Sequence, residues 1–463
     1  MPQFDAKARF ITITIITLVT AAMASLLGLN QLQIIAVTIF CFEIYATLLF
    51  WKYRLNFAFL GMSMLLAFGV IDIPHLIEFA SFDVILFLIS MMIVIGFLEE
   101  RGFFEDLLSK IIGTVGKGAN RLAVAIMLIA ALFAALVDEV TSILFTTTVI
   151  LHLTNKYKVK PIPFILMAVF ATNIGSSATV IGNPVGVMIA FRGGLTFTDF
   201  LRWATPISVL ALALTIWLSL KIFSSDIKGL DASLKESMED ELIEVRPKKN
   251  LWVSGIIFLG TVVFLSLHHP LEELLHLEKN TLLIGTAMAA ASVALFIDLE
   301  KGREIIERRV DWRTLIFFTL LFASVGTLKY VGITDLLAEA IFSISGKSNV
   351  ILLLTLTLVA ALLSAFLDNV LTVAMFLPVV SSLGAEGAHV FPLWWAMLFA
   401  GTFFGNLTLI GSTANIVAVG MLERERGTHI SFFEWIRAGV FISIPTLALA
   451  ILLLYLQMPL MPI

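Results

Sequence analysis

The sequence predicts an all-α polytopic membrane protein with about 11 transmembrane helices, two re-entrant helical hairpins and two inverted-topology repeats. Three observations lead there. Hydrophobic residues make up 59% of the 463 and charged residues 14%, against roughly 45–50% and about 25% in soluble domains. A mean hydropathy of +1.00 does not fit a water-facing surface around one core. Polar motifs of the first half also return in the second at an offset of 229 or 230 residues. Long apolar stretches separated by short charged breaks exclude disorder, a coiled coil and a porin-like barrel. The net charge of −4 says nothing about nucleic acid, because in a membrane protein the placement of the charges is what matters; no nucleic-acid partner is expected, and the expected surroundings are the lipid bilayer of the plasma (inner) membrane. With Cys41 alone, neither a disulfide within the chain nor a multi-cysteine metal site can form.

Basic residues on short loops set the orientation. Lys7 and Arg9 keep the N-terminus cytoplasmic. Residues 1–30 form an extra N-terminal helix around the apolar run Phe10–Gly28, retained because it lacks a small-residue cleavage site and another span follows at once. Span 2 (Leu32–Phe50) returns to Lys52 and Arg54, span 3 (Leu55–Ile71) exits to Asp72 and Glu78, and span 4 (Val84–Leu98) returns to Arg101, Lys110, Lys117 and Arg121. The stretch 122–153 carries Asp138-Glu139 at its centre and ends at Lys156, Lys158 and Lys160. One crossing would put those lysines outside, so it reads as a hairpin entering from the cytoplasm, each arm about half a membrane-spanning length. Span 5 (162–191) is broken at Asn173–Pro184, where Gly175, Gly182 and Pro184 interrupt any continuous helix. Span 6 (Trp203–Phe223) closes repeat 1, residues 31–223.

A mixed-charge cytoplasmic linker, 224–250, precedes repeat 2, residues 251–463. Span 7 (Leu251–Leu267) leads to an acidic outside loop, His268–Asn280. Span 8 (Thr281–Ile297) returns to Lys301, Arg303, Arg308, Arg309 and Arg313, and span 9 (Leu315–Val331) exits. A second hairpin (350–383) holds Asp368-Asn369, and a second broken helix (391–421) is interrupted at Gly405–Asn415. A final span (Ala438–Leu456) leaves the C-terminus outside. Asp138 aligns with Asp368 and Gly102 with Gly332 at an offset of 230; Thr179-Val-Ile-Gly-Asn183 aligns with Thr408-Leu-Ile-Gly-Ser412 at 229. The loop after the first hairpin holds three lysines and Gly384–His389 none, as inversion of the second copy requires.

Hairpins entering from opposite faces bring Asp138 and Asp368 towards the membrane midplane, with Glu139 beside the first. Around them lie Thr141, Ser142, Asn173, Ser176, Ser177, Thr179 and Asn183 from the first half. Asn369, Thr372, Asn406, Thr408, Ser412, Thr413 and Asn415 come from the second. Half-helix N-termini attract anions, and oxygen-rich sites with carboxylates suit hard cations and protons. Na⁺ is therefore expected at the hairpin tips and broken helices, with Asp138, Asn183, Asp368 and Asn415 as ligands. The competing reading is that hydroxyls and amides only join helices. A mid-membrane carboxylate is a functional candidate by default, although Glu139 could turn to cytoplasmic water and Glu43 reads as a buried pairing residue.

Asp138-Glu-Val-Thr-Ser142, the Asn173–Pro184 segment, Asp368-Asn-Val-Leu-Thr372 and the Gly405–Asn415 segment resemble the ion transporter superfamily. Within it the arsenite permease/NhaD-type antiporter/citrate transporter group is the most similar, over almost the whole chain. The resemblance implies two inverted repeats of five spans, each with a re-entrant hairpin, plus an extra N-terminal helix. It also implies a homodimer and an elevator-like movement of a transport domain. The tips differ from the Ser-Asn-Thr signature of the dicarboxylate branch, and no Arg or Lys lies in the polar segments to offset a polyanion.

The expected function is therefore secondary active transport of a small inorganic ion by alternating access. It needs no cofactor, uses Na⁺ or H⁺ as coupling ion, and has Na⁺/H⁺ antiport as its sharpest form. Arsenite or oxyanion export and citrate-type carboxylate transport are the alternatives. A passive channel and an intramembrane hydrolase using Ser176 or the aspartates are more remote. No Walker-type motif is present, so the chain binds no ATP through one, and no catalytic residues are assigned.

Overall fold

The computed structural model describes residues 6–104, 106–107, 110, 118–236, 251–345 and 348–462. All regular structure among them is helical. Among the described residues eight helices are each long and apolar enough to cross a bilayer, and the pair Leu299–Arg308 and Trp312–Tyr330, bent by 53°, makes nine if it is one span. The protein is an integral membrane protein. Of the remaining expected spans, Arg54–Ala67 and Thr281–Ile297 are shorter helices of 14 and 17 residues. Each broken span is two short helices: Ile162–Gly175 with Pro184–Gly193, and Phe391–Phe404 with Thr413–Arg426.

Contacts divide the chain into two compact units. One comprises Met1–Ile89, Asp311–Asn349 and Ala374–Ala388; the other comprises Ser90–Val310, Val350–Val373 and His389–Ile463. In the first unit, Glu43 on the helix Gln31–Leu49 is 3% exposed and accepts from Ser324 Oγ at 3.2 Å. Its carboxylate lies in the notch left by Gly61, where a Cβ would stand 1.7 Å from Oε1. It is indeed buried, and the described partner is a hydroxyl. The expected outside loop after span 3 instead forms a short helix, Ile73–Phe79, because Asp72 caps it through the His75 amide at 2.9 Å.

In the second unit the first hairpin is Ala119–Leu136 and Glu139–Lys156, separated by Val137-Asp138. Ser142 Oγ donates to the Ala130 carbonyl at 2.7 Å, so the arms run side by side. Each has 18 residues, about 27 Å at 1.5 Å per residue, and so exceeds the half-span length expected from sequence. Apolarity stops at Leu122 and Leu153, whereas helical hydrogen bonding continues into the polar ends. Residues of the second expected hairpin form Asn349–Phe366 and Asn369–Ala385.

Other expected loops also wind into helix. Of the linker, Ser224–Glu236 is helical, and residues 237–250 lie outside the described residues, as does Lys117 of the basic loop. Asp231 accepts from Lys235 Nζ at 2.7 Å and from the Ala119 amide at 3.5 Å; the ammonium first and the amide second hold its carboxyl below the usual range. The helix from Leu251 continues through Pro270 to Leu275, so His268 and Glu272, expected in a loop, are buried. Glu272 accepts from the amides of Asn280 (3.1 Å) and Leu282 (2.7 Å) and thereby starts the next helix. The aligned Gly102 and Gly332 both take left-handed backbone, φ +69° and +80°, which glycine adopts without a Cβ penalty.

The two helix breaks are built alike. Thr179 Oγ1 donates to the Ala135 carbonyl and Thr408 Oγ1 to the Ala365 carbonyl, while the amides of Ile181 and Ile410 donate back to these hydroxyls at 3.3 Å each. A Cβ on Gly182 would lie 2.1 Å from the Ser176 carbonyl oxygen, and one on Gly411 2.6 Å from that of Gly405. Helix then restarts from Asn183, whose Oδ1 accepts from Gly186 N at 2.7 Å, and from Ser412, whose Oγ accepts from Ala414 N at 3.2 Å. Because backbone closes these pinches, Gly182→Ala and Gly411→Ala should each destabilise the protein by about 1–3 kcal/mol. Gly420→Ala, with nothing within 4 Å of the new Cβ, should leave stability unchanged or slightly raised; thermal melts in detergent measure both.

Candidate functional site

The carboxylates meet where the first hairpin tip, the residues from Asp368 to Val373 and both breaks converge inside the second unit. Asp138 precedes its helix in extended conformation and accepts from the amides of Val140 and Thr141, both at 2.8 Å. Asp368 accepts from Val370 N at 3.0 Å and from Thr413 Oγ1 at 2.8 Å. Both aspartates are therefore engaged as caps, the role that short acidic side chains take at helix starts.

Glu139 is held differently. It is 1% exposed, yet its contacts are two long ones: Ser176 Oγ to Oε2 at 3.4 Å and Asn369 Nδ2 to Oε1 at 3.5 Å. Ordinary donor distances are about 2.7–3.2 Å. It does not turn out to water. Among the described residues no basic side chain pairs with Asp138 or Glu139. Ser176 has one hydroxyl proton and a second acceptor for it, the Asn173 carbonyl at 3.0 Å, and it accepts from Asn183 Nδ2 at 2.8 Å.

Asparagines fasten one break to the other. Asn173 Nδ2 donates to Asn406 Oδ1 (2.7 Å) and Asn415 Oδ1 (2.8 Å), and Asn173 Oδ1 accepts from Ser412 Oγ at 3.0 Å. Asn415 Nδ2 donates to the carbonyls of Gly405 and Thr408, both at 2.8 Å, and Asn406 Nδ2 to that of Phe170 at 3.3 Å. Asn183 and Asn415, both expected as Na⁺ ligands, thus already have their oxygens in use, on Gly186 N and Asn173 respectively.

The other expected site residues divide between support and periphery. Thr179, Thr408 and Ser142 bind the helical carbonyls described above. Ser177 donates to the Ile174 carbonyl and pairs with Ser208 at 2.7 Å, away from the carboxylates' own contacts. Among the described residues the Thr372 hydroxyl is buried without a partner. Three contributors went unnoticed in the sequence. Trp435 Nε1 donates to the Asn406 carbonyl at 3.0 Å, Thr205 Oγ1 to that of Ala178 at 2.7 Å, and Ser364 Oγ to that of Gly401 at 2.9 Å. Their residue types carry no signal, since each serves a backbone group far away in sequence.

An enclosed carboxylate thus lies between two broken helices, set among hydroxyls and amides. A sequence model described as CitMHS, citrate transporter, matches residues 44–343 and 325–462. The chain belongs to this citrate transporter family. An uncharacterised transporter of Mycobacterium tuberculosis is 32% identical across 81% of this chain and 86% of its own length. The 46 kDa membrane protein of Mycobacterium leprae has the same identity and coverage. The human P protein is 26% identical over 89% of this chain and 58% of its own length. Among solved structures, the YdaH transporter of Alcanivorax borkumensis shares the fold with a TM-score of 0.58 at 15% identity, covering 84% of this chain and 87% of that one. This family member is a membrane transporter.

Asn173→Ala would strand two amide oxygens and a serine hydroxyl in a dry interior, a loss of about 2–4 kcal/mol. Thr372→Val, which removes a hydroxyl without a partner at nearly constant volume, should be neutral or stabilising. Denaturation of the purified variants measures the difference.

Proposed function

We propose that this transporter couples its substrate to protons or Na⁺ through Glu139, with Na⁺/H⁺ antiport as the leading form. The observation behind this is the loose hold on Glu139. A buried carboxylate with only long contacts to neutral donors needs a proton or cation with it, whereas Asp138 and Asp368 are occupied as helix caps. Proton release from Glu139 would leave a site suited to a hard cation, with Asp138, Asp368 and the hydroxyl of Thr413 or Ser176 as further oxygens. Alternating access by two inverted repeats would then expose that site to each face in turn. In this reading the N-terminus is cytoplasmic, the C-terminus is outside, and the working form is a homodimer, as the resemblance implies.

The family description favours a second reading, in which the substrate is a citrate-type carboxylate. Acidic side chains repel a bare polyanion, so such a substrate would enter with cations or protons that neutralise it.

Purified protein in liposomes under imposed pH and Na⁺ gradients, offered Na⁺, Li⁺, arsenite and citrate, separates the readings. Antiport predicts that a Na⁺ gradient drives protons uphill. Because proton and Na⁺ compete for one carboxylate, apparent Na⁺ affinity should rise with pH. Glu139→Gln should lower coupled flux at least about tenfold while inserting normally. Proton-coupled uptake of citrate without Na⁺/H⁺ exchange would favour the second reading, and full flux in Glu139→Gln would overturn the role of Glu139 in both.

A further inference from the structure

Glu139 and Asn369 stand at the same place in the two halves, 230 residues apart, each following an aspartate and preceding a valine. They also touch, Asn369 Nδ2 facing Glu139 Oε1 at 3.5 Å. Corresponding residues of two related copies meet each other only where the copies' shared axis passes. Their surroundings match closely: Asp138 accepts from Val140 N and Asp368 from Val370 N, and Thr179 and Thr408 bind Ala135 and Ala365 in the same way. Asn369 is fully enclosed and Glu139 is 1% exposed.

We propose that positions 139 and 369 are two sides of a single acid seat, so that the exchanging carboxyl works from either half of the chain. This rests on the reading of Glu139 as the exchanging group. The geometry allows the transfer without stranding a neighbour. Val370 N has two acceptors, Asn369 Oδ1 at 2.9 Å and Asp368 Oδ1 at 3.0 Å, so a change at 369 leaves it bonded. Ser176 keeps the Asn173 carbonyl as an acceptor when 139 is no longer acidic. In the double variant Glu139→Gln/Asn369→Asp every side chain keeps its shape. The hydrogen bond between the two positions simply reverses, with the amide of the first donating to the carboxylate of the second. One difference between the halves remains: the counterpart of Ser176 is Gly405, where a Cβ would lie 2.9 Å from the Gly411 carbonyl oxygen. A carboxylate based at 369 therefore lacks a hydroxyl of its own, and recovery of flux should be partial.

The test compares parent, Glu139→Gln and Glu139→Gln/Asn369→Asp in liposomes, reading proton flux driven by whichever of Na⁺ or citrate the parent couples. Melting temperature and gel-filtration profile report folding. The double variant should exceed Glu139→Gln by about threefold or more while staying below the parent, a coupling expected only of residues in direct contact. Flux in the folded double variant no higher than in Glu139→Gln would overturn the shared seat while leaving the role of Glu139 intact. Full flux in Glu139→Gln alone would instead overturn the reading beneath it. The pair Glu139→Asn/Asn369→Glu, which moves the longer arm across, decides the matter if the first pair folds poorly. Recovery there supports the shared seat, and its absence in folded protein rejects it.

Discussion

Backbone that leaves a helix inside hydrocarbon must find its hydrogen-bond partners within the protein. That requirement governs this structure. At both breaks a threonine hydroxyl binds a carbonyl of the neighbouring arm while accepting an amide from its own segment. A glycine lets the chain fold back onto itself, and a polar cap starts the next helix. Asparagine amides and the Trp435 indole serve the carbonyls left over. With the backbone satisfied by these groups, oxygens can be presented around Glu139 without the breaks unravelling.

Much of this was legible in the sequence, because its causes are local. Gly175, Gly182 and Pro184 forbid a continuous helix, Asp138 and Asp368 mark the hairpin tips at the centre of long apolar runs, and the 230-residue offset pairs the two tips. Gly102 and Gly332 matched before their shared backbone conformation was visible. The turns flanking the spans were harder to read. Pro270 suggests a stop, yet the helix passes through it because Glu272, one turn short of the end, has two amides of the next helix to bind. Charge patterns at 73–79 and 299–308 look like loops and form short helices.

The division of labour among the acidic residues was the least legible part. Three carboxylates at two tips look alike in sequence, and the aspartates stand out because they repeat. In the structure the aspartates and the glutamate are held differently. An aspartate next to a helix start is short enough to reach the backbone amides and becomes committed to them, whereas the longer glutamate side chain projects past that turn and meets only neutral side chains. Repetition marks what holds the tips. The difference between the halves, glutamate in one and asparagine in the other, falls at the carboxylate whose contacts are long.

The asparagine linkage has a mechanical consequence. Asn173 belongs to one interrupted span and its partners Asn406, Asn415 and Ser412 to the other, with no donor of Asn173 or Asn415 left for water. Shearing one span past the other would rupture several dry bonds at once. In any rearrangement of this unit the two are bound to move as a single cassette.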